Sequence, residues 1–285
     1  MKLKFTALIL ILGLVLCAGQ ATAADPLYDK LQQRLVNDGF NKEKISKFYN
    51  DPQCFFSKGM VIAFFKHDES KLDYKQFESA EDIANCLAYL KANKAWFDKA
   101  EADYGVPREV ITAIILVESR LGSHLGKSKA FNVLSTMAAL QDEDVREKFY
   151  IMAEDEKRLP REQFMSRAGK RAAWAYKELK ALLTYAAKYD IDPFYFKSSY
   201  AGAIGYCQFM PSNIIPYGAD GNGDGVIDLY INADAICSVA KYLKQNGWGG
   251  LNISVEQQRK AVHRYNHSNY YVDCILSVAG ILKNS

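Results

Sequence analysis

Apolar residues recur at three- and four-residue spacing along most of the chain, and strict two-residue alternation is nearly absent. That period lets an α-helix keep one face toward a core. It predicts helices over 26–37, 41–50, 79–103, 107–121, 171–189, 233–246, 255–266 and 269–283. Glycine and proline cluster between 192 and 226, so this stretch reads as a long loop with a function of its own. Residues 141–170 are densely charged, contain Pro160, and read as a solvated insertion. No internal repeat or low-complexity linker interrupts the pattern. The expected architecture is a mainly α body over 101–285, with residues 24–100 as an additional N-terminal helical layer.

Composition narrows the function classes. With 49% hydrophobic residues among 285, the chain can bury a full core. Its net charge of +3 is too mild for a nucleic-acid binder, and no basic stripe is interleaved with aromatics. Lys2 and Lys4 precede an apolar run ending at Ala18, and Ala21-Thr22-Ala23 has the small-residue pattern of a cleavage site. Residues 1–23 therefore read as a signal peptide, which predicts a periplasmic chain beginning at Ala24. A lipid anchor at Cys17 is the rival; Leu16 stands where that cleavage wants a small residue. The remaining cysteines are Cys54, Cys86, Cys207, Cys237 and Cys274. None has C-x-x-C spacing, which speaks against zinc. In oxidising surroundings Cys54 with Cys86 is a plausible disulfide whose formation the sequence leaves open, the other three reading as buried thiols.

One carboxylate stands out. Pro107 suits the first turn of a helix, where its missing N–H has no partner. Ile111, Ile114, Ile115 and Glu118 follow on one face, so Glu118 continues the apolar stripe up to Gly122, the expected stop. A carboxylate in an apolar wall loses hydration, and its charged form is disfavoured. It then holds a proton near neutral pH, as a general acid must to protonate a glycosidic oxygen. The competing interpretation is a structural Glu118 paired with Arg120 or another cation.

Two loops add chemistry. Ser199 to Ser212 combines glycines with Gln208 and aromatics, a combination suited to close approach of backbone to sugar hydroxyls and acetamido groups. It carries neither phosphate-loop pattern. Tyr265 to Tyr271 sets polar and aromatic groups beside a helix start, and such side chains stack on sugar rings. Asp220 to Asp228 matches the start of an EF-hand loop, with oxygens from Asp220, Asn222, Asp224, the Val226 carbonyl and Asp228. Ile231 replaces the usual closing Glu, so either affinity drops or a later group such as Asn232 or Asp234 fills the gap. A structural calcium ion is the candidate occupant, with an Asx-turn loop without metal as the alternative; the chemistry itself calls for no cofactor.

Taken together, these segments resemble the lytic murein transglycosylase B family. The matching pieces are Gly105-Val106-Pro107, Val117 to Gly122, Ser199 to Ser212, Asp220 to Leu229, Asp234-Ala235, Gly247-Trp248 and Tyr265-Asn266, covering roughly 95–283. The resemblance implies a lysozyme-like helical body that cleaves the β-1,4 bond between N-acetylmuramic acid and N-acetylglucosamine. The muramyl C6 hydroxyl attacks C1, leaving a 1,6-anhydro end without water. One carboxylate acts first as acid and then as base, and the substrate acetamido group replaces a nucleophilic carboxylate.

Carried over, Glu118 is the acid/base. Ser199 and Gln208 bind substrate, while Tyr242, Tyr265 and Asn266 shape the groove. Lys170 and Arg171 hold muramyl and peptide carboxylates, Lys170 standing where the family has arginine. Leu121 stands where many members have an aromatic residue. The implied partners are peptidoglycan glycan strands and cell-wall synthesis or remodelling proteins, with the chain itself a monomer. A hydrolytic muramidase would need a second carboxylate, for which Asp103 and Glu109 are the candidates. A non-catalytic peptidoglycan-binding protein would need neither.

Overall fold

The computed structural model describes residues 25–67, 72–153 and 160–285. Residues 1–23, expected to be a signal peptide, lie outside them. Among the described residues are thirteen α-helices: α1 Asp29–Asn37, α2 Lys42–Tyr49, α3 Lys58–Lys66, α4 Ala80–Ala92, α5 Lys94–Tyr104, α6 Arg108–Ser119, α7 Ala130–Ala139, α8 Glu143–Met152, α9 Arg161–Lys188, α10 Pro211–Tyr217, α11 Asn232–Gln245, α12 Val255–Tyr265 and α13 Asn269–Lys283. Short polar side chains start many of them by accepting N–H groups that have no helical partner. Asn41 caps α2, Ser79 caps α4 and Asp142 caps α8. Ser254 and Gln257 form a reciprocal capping box on α12, and Ser268 caps α13.

The core forms around α6, whose residues from Val110 to Leu116 are all buried. α13, α4, α11 and α5 pack against it. The long α9 supports α7, α8 and α10. Two buried hydroxyl pairs fasten the N-terminal helices to α7: Tyr28 with Thr136 at 3.0 Å and Tyr49 with Ser135 at 2.9 Å. β-structure among the described residues is confined to β1, Ser128–Lys129, and β2, Lys197–Ser198, an antiparallel pair with Ser128 opposite Ser198.

Several elements differ from expectation for identifiable reasons. The helix expected over 79–103 breaks at Asn93, whose side chain turns back onto the Tyr89 carbonyl at 3.0 Å. α9 begins at Arg161, ten residues before the expected start at 171. Within 141–170, Val145, Phe149, Phe164 and Ala168 are buried, with Phe149 stacked on Phe164 at 5.7 Å, so charge covers the outside of a packed pair of helices. α7 was invisible because every one of its residues is buried, which leaves no polar face to set a period. α10 interrupts the expected long loop, starting at Pro211 in the first-turn position that proline suits.

The candidate Cys54–Cys86 disulfide is not formed. Cys54, Cys86, Cys207, Cys237 and Cys274 are all free thiols. Cys54 lies near Asp25 and Asp51, whereas Cys86 sits within α4 near Asp82; burial pushes each thiol up to about 12. The two are placed in separate packing environments, and apolar surroundings keep both protonated.

Candidate active site

α6 delivers Glu118 to the edge of the core. The helix ends at Ser119, earlier than the expected stop at Gly122, because Arg120 takes a left-handed conformation with φ 50°. Its N–H returns to the Leu116 carbonyl at 2.8 Å. Gly122 meets another need: a Cβ there would lie 2.8 Å from the Tyr206 ring. Ser119 Oγ donates to the Tyr206 carbonyl at 2.8 Å and accepts from Gly122 N at 3.0 Å. These bonds join the end of α6 to the glycine-rich loop.

Glu118 is half-buried, and its Oε1 accepts a hydrogen bond from the Tyr271 hydroxyl at 2.7 Å. Tyr271 stacks on Tyr265 with ring centroids 6.4 Å apart, and Tyr265 packs on Tyr242 at 4.9 Å. Tyr265 donates to the Cys207 carbonyl at 2.6 Å, and Tyr242 donates to the Arg264 carbonyl at 2.6 Å. Burial, then the charge of Glu118, holds the Tyr271 phenol well above its ordinary range. Tyr265 is raised first by burial, then by Cys207 and Glu118. Both therefore remain hydrogen-bond donors at any physiological pH. Burial also raises the Cys207 thiol, which makes it a poor nucleophile.

The glycine-rich loop is folded on itself. Ile204 bridges both Ser198 and Phe209. Gly205 has φ 74°, and a Cβ there would run into Leu229. Gln208 adopts φ 47°, with its side-chain Nε2 on the Gly205 carbonyl at 2.9 Å. Ser199 Oγ accepts from Ala201 N and Ala203 N, each at 3.3 Å.

Tyr200 lies 6.3 Å from Phe64 of α3, whose ring also carries the Arg171 guanidinium at 5.3 Å. The structure thus links Arg171 to the loop through two rings. Lys170 is exposed on the same stretch of α9. Asn266 is the C-cap of α12, half-buried beside Tyr265.

Arg120 donates through Nη1 to both Asp82 oxygens at 2.7 Å. Asp103 pairs with Lys99 at 2.8 Å on α5. Glu109 lies in the first turn of α6, about 14 Å along the axis from Glu118 at 1.5 Å per residue. That separation is wider than the spacing between the two carboxylates of a two-carboxylate glycosidase, so Glu109 is not such a partner.

In the Asp220 loop, carboxylates fasten backbone turns. Asp220 accepts from Gly223 N at 2.6 Å and Gly225 N at 2.8 Å. Asp224 accepts from Val226 N at 2.8 Å, which holds its carboxyl below the usual range. Asp228 accepts from Tyr230 N at 2.9 Å and the Tyr195 hydroxyl at 3.1 Å. Asp234, considered as a closing ligand, is instead the loop's buried clasp, accepting from Gly221 N at 2.8 Å and Asp228 N at 2.6 Å. Burial raises it to about 6. Among the described residues, no group of three or more His, Cys, Asp or Glu is arranged as a metal cluster. The donors are all oxygens, the type calcium takes, so donor chemistry fits that ion even though the carboxylates here serve backbone turns.

A family model described as the transglycosylase SLT domain matches residues 23–256. The chain belongs to this family. Membrane-bound lytic murein transglycosylase B of Escherichia coli (strain K12) is 34% identical over 174 residues, 61% of this chain. That match spans 41% of the relative's length. Soluble lytic transglycosylase SltB1 from Pseudomonas aeruginosa has a TM-score of 0.72 at 23% identity, covering 90% of this chain and 97% of that one. The Escherichia coli lytic transglycosylase Slt35 in complex with calcium has a TM-score of 0.69 at 24% identity, covering 91% and 93%. These likenesses establish a mainly α, lysozyme-like fold for this transglycosylase SLT domain chain.

Tyr271 was expected only as part of the Tyr265 to Tyr271 aromatic segment, with no role toward Glu118. Its signal was present but weak: Ser268 caps α13, which puts Tyr271 on the first turn, one helical start after Tyr265. Nothing local says that this turn faces the end of α6.

Proposed function

We propose that this chain is a lytic transglycosylase acting on peptidoglycan, with Glu118 as its acid and base. The observation that carries this proposal is a half-buried carboxylate at the end of a buried helix, oriented by a buried phenol and walled by tyrosines. A carboxylate so placed protonates the glycosidic oxygen between N-acetylmuramic acid and N-acetylglucosamine as the C1–O bond breaks. The substrate acetamido oxygen covers C1, taking the part a second carboxylate plays in other glycosidases. The muramyl C6 hydroxyl then attacks C1 and returns its proton to Glu118. Acid and base balance over one cycle, no water is consumed, and the product ends in 1,6-anhydromuramic acid. Ser199, Gln208, Tyr242, Tyr265 and Asn266 line the substrate groove, and Lys170 with Arg171 receives substrate carboxylates.

Calcium would be held by Asp220, Asn222, Asp224, the Val226 carbonyl and Asp228. It would add loop stability and no chemistry. Export through residues 1–23 would bring the enzyme to the periplasm; among the described residues no helix is long and apolar enough to cross a membrane.

The deciding experiment is mass analysis of muropeptides released from purified sacculi. Anhydro ends, one water lighter than hydrolytic ends, support the proposal. Hydrolytic ends would make the protein a muramidase, and binding without release a peptidoglycan-binding protein. Glu118→Gln should retain binding and lose turnover; full lytic activity in that variant would remove Glu118 from the mechanism.

A further inference from the structure

Glu118 stands just before two successive non-glycine residues in the left-handed region, Arg120 at φ 50° and Leu121 at φ 55°. L-residues seldom hold that conformation unless their surroundings impose it. Backbone bonds to α6 close this turn, Arg120 N to the Leu116 carbonyl at 2.8 Å and Leu121 N to the Ile115 carbonyl at 3.3 Å, and side chains from outside α6 hold Arg120. Arg120 Nη1 donates to both Asp82 oxygens at 2.7 Å, and Nη2 donates to Gln76 Oε1 at 2.6 Å. The guanidinium lies over the Phe77 ring at 4.3 Å. Asp82 is itself fixed, because Ser79 Oγ donates to it at 3.0 Å at the start of α4. α4 packs against both α6, which carries Glu118, and α13, which carries Tyr271. The Asp82–Arg120 pair therefore ties the acid and its phenol partner to one frame.

We propose that Asp82 is a positioning residue for Glu118, acting through Arg120. The proposal rests on Glu118 being the acid/base of the transglycosylase reading. Misplacing a catalytic group by an ångström lowers the rate far more than it lowers substrate binding. The loss should therefore appear in kcat and spare KM.

The test compares wild type, Asp82→Asn, Asp82→Glu, Arg120→Lys and Tyr49→Phe on soluble glycan strands, with kcat, KM and Tm measured for each. Asp82→Asn keeps the shape and removes the charge; it should lower kcat about tenfold or more with KM within about twofold. Arg120→Lys keeps the charge but loses the planar fork, and should show the same split. It serves independently if Asp82→Asn fails to fold. Asp82→Glu should recover part of the loss. Tyr49→Phe removes a buried hydrogen bond to Ser135 away from the cleft, and should lower Tm while leaving kcat unchanged. Wild-type kcat in folded Asp82→Asn and Arg120→Lys overturns the proposal. So does a kcat that merely follows Tm across the whole set. A wild type that releases hydrolytic ends overturns the transglycosylase reading instead, since the ratios between variants are read whichever ends form.

Discussion

Tyr271 reaches Glu118 across 153 residues of sequence to make a 2.7 Å hydrogen bond, and the site depends on that meeting. A phenol that keeps its proton fixes one oxygen of the Glu118 carboxylate in place. Tyr271→Phe should keep the stack on Tyr265 and the edge contact with Tyr74, and so fold normally. It should lower kcat about tenfold on glycan strands, a typical cost for losing orientation of a general acid. A steady-state assay beside a melting curve checks both halves. Glu118 was legible in the sequence because it continues the spacing of Ile111, Ile114 and Ile115. Tyr271 was not, since periodicity reports which face of a helix is apolar and not which helix that face meets.

Among the elements, α9 shows how charge can hide packing. Arg161, Glu162 and Arg167 are exposed, while Phe164 is 3% exposed and stacks on Phe149 of α8. Phe164→Ala should destabilise the protein by about 3–5 kcal/mol, the usual cost of emptying a buried aromatic site. Denaturant unfolding would measure it, and a cost below about 1 kcal/mol, the range of an ordinary surface change, would mean that these helices do not share the core.

The Asp220 loop makes a different prediction. Binding to the folded loop alone adds stability by mass action, so calcium should raise Tm and leave kcat unchanged. A melting curve that ignores both calcium and chelator would count against the ion. The loop was legible because its oxygens fall at fixed spacing. The role of Asp234 was not, because its partners Gly221 and Asp228 approach it only after α11 has packed.

At the scale of the whole molecule, helix packing and buried polar pairs hold the chain together without a disulfide among the described residues. Reductant should therefore leave Tm unchanged. Thiol titration of the native protein should be slow for Cys86, Cys207, Cys237 and Cys274, which are buried, and quicker for the half-buried Cys54. All should react on unfolding. A Tm that falls with reductant would restore the disulfide.

The sequence by itself determined the helical class, the placement of an acid at the end of a buried helix, and a glycine-rich loop able to approach a sugar. Each follows from local chemistry: a period, a cap, or a residue that tolerates an unusual φ. Tertiary structure alone decided that Arg120 pairs with Asp82, that Tyr271 donates a hydrogen bond to Glu118, and that Cys54 and Cys86 stay apart. Those outcomes depend on which faces meet when distant helices pack, and pairing between faces is a property of the packed core that no single segment encodes.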